Sequence, residues 1–281
     1  MSPEVLELVG YQRAEFAKAG QVRMWMIVTQ IMVALPAIGS VFVEAGPCVL
    51  LLALAGLAMV LTWLALERRY SRLRQACGRA RRASLIMGGL GQSISAVELL
   101  SIKETLSATE DQAKRFVDPN YFASQAPPGR RRLGEMLQES AFWTSRMQGE
   151  SARLMWGAFL LSVIAVGLLF TVVVAFAVQN VEERGARVML AILTLLISTD
   201  ILGSAMAHSE AASGTERIVH RLADAEARNY PEPDILLILS DYNAIVETTP
   251  IAVPGLYELH RNRLERLFQA FQSTRSRSTT T

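Results

Sequence analysis

Apolar residues in this 281-residue chain are gathered into four long runs: Met24 to Val43, Cys48 to Leu66, Leu154 to Val178 and Val188 to Met206. A hydrocarbon core about 30 Å thick needs roughly 20 apolar helical residues, because every backbone group inside it must be hydrogen-bonded within its own segment. The pattern predicts four membrane-spanning helices in two hairpins. Glu44-Ala45-Gly46-Pro47 closes the first and the stretch Gln179 to Arg187 the second, and neither turn can hold a domain. Pro36 is predicted to kink the first span. Arg68, Arg69, Arg72, Arg74, Arg79, Arg81 and Arg82 follow the second span, and positive residues beside spans mark the cytoplasmic side. Four crossings then put both termini inside.

The polar stretches between these runs also read as helical. Ile94, Val97, Leu100 and Ile102 suggest one amphipathic helix from about Gln92 to Phe116, ended by Asp118-Pro119-Asn120. A second helix is expected after Pro127-Pro128-Gly129, running through Leu133, Met136, Leu137 and Phe142 into the third span. The tail continues helically out of the fourth span, breaks at Tyr230-Pro231-Glu232-Pro233, resumes over DILLILSDYNAIVE, bends between Pro250 and Pro254, and ends in a helix from Leu256 to Phe271. The expected fold is all-α: an integral membrane four-helix protein of two hairpins with a cytoplasmic helical layer built from three separated segments. Its parts are an N-terminal helix (1–23), transmembrane hairpin 1 (24–66), a cytoplasmic helical insert (67–153), transmembrane hairpin 2 (154–206), C-terminal helices (207–272) and a disordered tail (273–281).

Composition narrows the function. Hydrophobic residues make up 51% of the chain and the formal net charge is only +2, which excludes a strongly basic binder and leaves DNA and RNA unexpected as partners. Cys48 and Cys77 fall on opposite sides of the second span and cannot pair without disrupting it. His208, His220 and His260 are too scattered for a metal site evident in the sequence, so no metal is expected. The N-terminus lacks a short apolar core with a small-residue cleavage site, so no removable signal peptide is expected. There is no nucleophile elbow, Walker loop or HExxH, and Gly88-Gly89-Leu90-Gly91 reads as a hinge. Enzyme activity and a resident cofactor are not expected.

Four stretches carry a resemblance. They are Tyr11-Gln12-Arg13 through Ala17-Lys18; Tyr121-Phe122-Ala123-Ser124; Gly129 through Arg132-Leu133 to Glu139-Ser140-Ala141-Phe142-Trp143-Thr144; and Asp241-Tyr242-Asn243 through Pro250, Pro254 and Tyr257 to Arg261. In this order they resemble the SMODS-associated four-transmembrane effector family, S-4TM. Phe16 and Phe268 stand where that family suggests tyrosine and tryptophan. The resemblance implies a bacterial inner-membrane protein encoded beside a cyclic-nucleotide synthase of a CBASS-type anti-phage system. It further implies a response to a cyclic di- or oligonucleotide made during infection, followed by damage to that membrane and abortive infection.

Two groups of residues are candidates for that work. Within the insert, Arg130, Arg131 and Arg132 follow a glycine-containing turn and are of the type that pairs with phosphate oxygens, while Tyr121, Phe122 or Trp143 offers a ring for a base to stack on. Arg72 and Arg74 are alternative phosphate contacts, otherwise anchoring to anionic lipid heads. Arg261 and Arg263 with Tyr257 and Asp241 form a counterpart in the tail, where Asp241-Tyr242-Asn243 alternatively caps or joins helices of the cytoplasmic layer. Inside the membrane, an acidic residue such as Asp200 costs about 2.5 to 3.5 kcal/mol on insertion scales. With Ser162, Gln30 and Thr62 it is expected to form one polar layer, either a gate facing the bundle interior or a structural pin between helices.

The leading expectation is a ligand-gated effector. A cyclic nucleotide binds the cytoplasmic helices, and the bundles of a homo-oligomer rearrange in the lipid bilayer to permeabilise it. A constitutive channel or small transporter using Asp200, and a non-conducting scaffold recruiting a partner through the tail, are the alternatives.

Overall fold

A computed structural model describes residues 1–42, 46–175 and 201–278. Among the described residues the chain is all-helical, with eight helices and no strand: α1 (Pro3–Phe42), α2 (Pro47–Leu90), α3 (Ala96–Thr105), α4 (Glu110–Lys114), α5 (Arg130–Ala175), α6 (Ile201–Ala227), α7 (Glu232–Thr248) and α8 (Leu256–Ser278). They divide between two compact units. Unit 1 gathers Met1–Gly20, Leu73–Ala152 and Ala207–Thr281, and unit 2 gathers Gln21–Arg72 and Arg153–Met206.

Unit 2 shows its apolar side chains on the outside. Among the described residues two helices that run through it are long and apolar enough to cross a membrane. The most apolar 18-residue window of α2 has a mean hydropathy of 2.5 with none of it buried, and that within Arg130–Leu168 of α5 has 1.7 with 11% buried. Leu51 and Leu161 are 65% and 69% exposed. A continuous apolar surface of this kind is rare on a protein surrounded by water and suits lipid. Three hydroxyls here are satisfied within their own helices: those of Thr29, Thr62 and Ser162 donate to the carbonyls of Trp25, Ala58 and Ala158, each at 2.8 Å. Thr62 is exposed rather than turned to an interior. Asp200, the second predicted turn and most of the fourth apolar run lie outside the described residues.

Unit 1 has a conventional core. Leu133, Met136, Leu137 and Ala141 of α5 and Ile235, Ile238, Leu239 and Tyr242 of α7 are buried at helical spacing. Val5, Leu8 and Val9 of α1, Leu85 of α2 and Leu222 of α6 meet them. Helix α6 ends with two left-handed residues, Asn229 (φ 57°) and Tyr230 (φ 52°), and the Tyr230 amide donates back to the Ala225 carbonyl at 2.7 Å.

Three local expectations need correcting. The helix expected over about Gln92 to Phe116 is two helices, because Glu15 of α1, fully buried, accepts the amides of Ser107 and Ala108, and Thr109 starts α4 with a capping box. Of the apolar residues that suggested one amphipathic helix, Val97 and Leu100 are 79% and 59% exposed, while Ile102 is buried. The Gly88-Gly89-Leu90-Gly91 stretch is no hinge. Gly88 and Gly89 complete α2, where a Cβ on Gly89 would lie 2.7 Å from Leu133 Cα, and Gly91 (φ +70°) ends the helix. The tail read as disordered from Ser273 is helical through Ser278, since α8 propagates over residues such as Arg275 and Arg277 that suit a helix.

Candidate functional site

Unit 1 encloses a cavity of about 510 Å³ whose wall is drawn from α1, α2, α5, α7 and the segment 249–252. Helical spacing explains which side chains arrive there. On α2, Arg74, Cys77 and Arg81 stand at i, i+3 and i+7. On α5, Ser140, Trp143, Thr144, Met147 and Gln148 follow the same face, while α1 contributes Gln12, Arg13 and Phe16. Tyr121 and Phe122 reach the wall from the loop between α4 and α5, and Tyr242 from α7.

Three arginines and two carboxylates, Glu139 and Glu247, give the cavity its charge, and the arginines differ in how they are held. Arg13 donates to the Phe116 carbonyl at 3.0 Å, lies 4.0 Å from the Asp118 carboxylate and covers the Tyr121 ring at 5.5 Å. Arg74 donates to the Thr249 carbonyl at 3.2 Å. Arg81 is only 8% exposed, with its guanidinium 5.3 Å from the Tyr242 ring and 6.0 Å from that of Phe16. Its buried Nε has no hydrogen-bond partner, and no ion pair holds it among the described residues. A buried ion is penalised by several kcal/mol, against about 0.5–2 kcal/mol for each cation–π contact. The rings therefore leave much of the cost of Arg81 uncompensated, and an anion in the cavity would offset it.

The neighbouring groups are tuned by the same surroundings. Burial pushes the Cys77 thiol up to about 12, with Arg81 pulling the other way. The Tyr121 phenol is also raised, first by burial and then by the Tyr242 phenol, against Arg13 and Arg81. The Glu139 carboxylate, also in the wall, accepts the Ala123 amide at 2.9 Å. Thr144 and Tyr242 share a hydroxyl hydrogen bond of 3.1 Å, and Ser84 donates to Gln12 at 3.0 Å, fixing both side chains. The arrangement offers cations for phosphate, ring faces for bases, and amides and a carboxylate for base edges.

Of the sequence candidates, the structure brings Tyr121, Trp143 and Arg74 together here, along with Phe122 and Tyr257. It puts the others elsewhere. Arg130 is exposed at the start of α5, Arg131 pairs with Glu135 at 3.1 Å beside a separate cavity of about 330 Å³, and Arg132 donates to the Ala126 carbonyl at 3.3 Å. Arg72 belongs to unit 2 and is exposed, and Arg261 pairs with Glu265 at 2.8 Å on the exposed face of α8. Sequence reasoning did not single out Gln12, Arg13, Arg81 or Tyr242 as ligand contacts. The i, i+7 relation of Arg74 and Arg81 was a usable signal for one of them.

A larger cavity of about 680 Å³ lies between α2, α3 and α7, with Arg74, Arg79 and Arg82 in its wall. It has no aromatic ring, and Arg82 is neutralised there by an ion pair with Glu247. Among the described residues no group of histidine, cysteine and acidic side chains is placed to hold a metal ion. No protein family, curated protein or solved structure matches this chain.

Proposed function

We propose that this chain is a four-span bacterial inner-membrane effector of the S-4TM kind, in which unit 1 binds a cyclic di- or oligonucleotide and unit 2 then permeabilises the bilayer. The observation that carries the reading is Arg81, a buried guanidinium between two aromatic rings with an unpartnered Nε, in a cavity that also holds Arg13, Arg74, Tyr121 and Trp143. Its volume of about 510 Å³ lies within the roughly 300–1,000 Å³ of small-molecule sites. Guanidinium forks pair with phosphate oxygens, and bases stack on rings.

A second line of support comes from where the resemblance lies. Its four stretches fall in three widely separated parts of the sequence, and each sends a residue into this one cavity: Arg13, Tyr121, Trp143 and Tyr242. The apolar exterior of unit 2 supports membrane insertion, with the arginines after the second span favouring termini on the cytoplasmic side. The signal comes from a partner cyclic-nucleotide synthase, and several copies assemble to make the lesion, since four helices per chain enclose little space. No catalytic role is assigned to any residue.

The test uses the full chain in dye-loaded liposomes, challenged with cyclic di-AMP, cyclic di-GMP and cyclic tri-AMP. Leakage that depends on one of these, with matching binding by calorimetry, is the expected result. Leakage indifferent to every nucleotide would favour a constitutive channel, and binding of none of them with intact liposomes would remove the sensor reading.

A further inference from the structure

The segment joining α7 to α8 forms part of the cavity wall through Thr249, Pro250, Ile251 and Ala252. It is an extended strap. Arg74 Nη1 donates to the carbonyls of Thr248 and Thr249 at 3.5 and 3.2 Å, where α7 ends. Gln148 Nε2 donates to the Pro250 carbonyl at 3.1 Å, and the Val253 amide donates to Ser151 Oγ at 3.0 Å. The Gln148 carbonyl oxygen in turn bonds His208 Nδ1, which is fully buried on α6. Three helices, α2, α5 and α6, thus hold the strap directly or through one side chain, and each continues along the chain into unit 2.

Arg74 differs from the other holds. Gln148 and Ser151 are neutral and buried, whereas Arg74 is charged, half-exposed, and lines both this cavity and the larger one beside it. Its bonds to the strap are long for N–H···O contacts and go to neutral carbonyls. A phosphate group brings its own negative charge and accepts two N–H groups of the guanidinium fork at once, so it attracts the same group more strongly than a neutral carbonyl does. An anion entering the cavity therefore competes for the group that holds the wall shut.

We propose that Arg74 is a ligand-released latch: in the empty protein it ties the start of the strap, at the end of α7, to α2, and a phosphodiester in the cavity takes its guanidinium and frees the strap. This rests on the reading of the cavity as a nucleotide site. Arg74 acts as a positioning residue whose change of partner reports occupancy to the helices that enter unit 2. The ligand need only bind the released state more tightly than the latched one.

The experiment follows strap amides by hydrogen–deuterium exchange in the full chain, reconstituted in nanodiscs, beside leakage from liposomes. Without any nucleotide, Arg74→Gln should speed exchange at Val253 about tenfold and make liposomes leak, while Arg74→Lys stays close to wild type. Arg82→Gln removes a neighbouring ion pair to α7 and should do neither. Unchanged protection in Arg74→Gln, loosening spread evenly over unit 1, or a freed strap with tight liposomes would each overturn the latch. With wild type, whichever of cyclic di-AMP, cyclic di-GMP or cyclic tri-AMP binds should raise strap exchange to the Arg74→Gln level, and binding without that rise also overturns it. Should none bind, the nucleotide reading fails, and the ligand-free arm still decides the latch.

Discussion

The Arg81 guanidinium lies 5.3 Å from the ring of Tyr242, with no carboxylate paired to it among the described residues. A group held for stability alone would be better as a hydrocarbon, because replacing a buried charge by an apolar side chain of similar volume is often neutral or stabilising. Arg81→Met should therefore leave the melting temperature of the full chain unchanged or raise it. Affinity for the nucleotide that binds wild type should fall about 100-fold or more, within the roughly 2–5 kcal/mol expected when a buried charge loses its partner. Differential scanning fluorimetry and calorimetry on one preparation separate the two effects. A large drop in melting temperature with intact binding would make Arg81 a structural residue.

Gly134 faces Tyr230 so closely that a Cβ would lie 2.4 Å from the ring, and Tyr230 is buried on a left-handed backbone with little freedom to give way. Gly134→Ala should cost a net 1–3 kcal/mol, roughly, although alanine itself favours a helix by about 1 kcal/mol. Gly149 on the same helix is the control, since its Cβ would meet Ala212 at an ordinary 3.9 Å. Gly149→Ala should be neutral or stabilising. Urea titration of both variants reads the difference, and equal responses would count against the close approach.

Cysteine chemistry tests both topology and burial. Cys48 is exposed beside the first predicted turn, whereas Cys77 is buried in the cavity wall with its thiol pushed up to about 12. At pH 8 that leaves about one thiolate in ten thousand, and thiolate is the reactive form. A membrane-impermeant maleimide added outside spheroplasts should label Cys48 alone, and Cys48→Ser should abolish labelling. Cys77 also sets a pH dependence. Its folded pKa is raised, so the folded state keeps a proton that the unfolded chain releases, and this contribution is complete below about pH 9 and lost as pH climbs toward 12. Melting temperature should fall more steeply across that window in wild type than in Cys77→Ala.

The pattern of polarity carried much of the helical layout. Ile235, Ile238, Leu239 and Tyr242 keep strict helical spacing and are all buried, and α5 begins right after Gly129. The break between α3 and α4 was hidden because its cause, the Glu15 carboxylate, comes from a helix about 90 residues earlier. The site was hidden for a similar reason. Arg81 is one of seven arginines in fifteen residues, and only the register of α2 against α1 and α7 decides which of them is buried. By contrast Arg130, Arg131 and Arg132 stand out in sequence beside their glycine, yet Arg131 and Arg132 have partners within the insert itself.

Trp143 provides an optical reading of the site. It lines the cavity, and its ring also packs on Phe268 and Tyr257, with centroids 5.1 and 6.2 Å away. A base stacked on it should quench its fluorescence, so titrating the bound nucleotide should reveal a saturable change that Trp143→Phe removes. Because phenylalanine keeps a ring face, that variant should still bind with similar affinity, whereas Trp143→Ala should lose about 1–3 kcal/mol of stacking. Loss of affinity in the alanine variant alone is ambiguous, since it also loosens α8. Phe268→Leu resolves this, because Phe268 supports Trp143 from α8 and does not line the cavity. It should loosen α8 with little change in affinity. Equal losses in Phe268→Leu and Trp143→Ala would mean that the tryptophan acts through α8 rather than by stacking on the ligand.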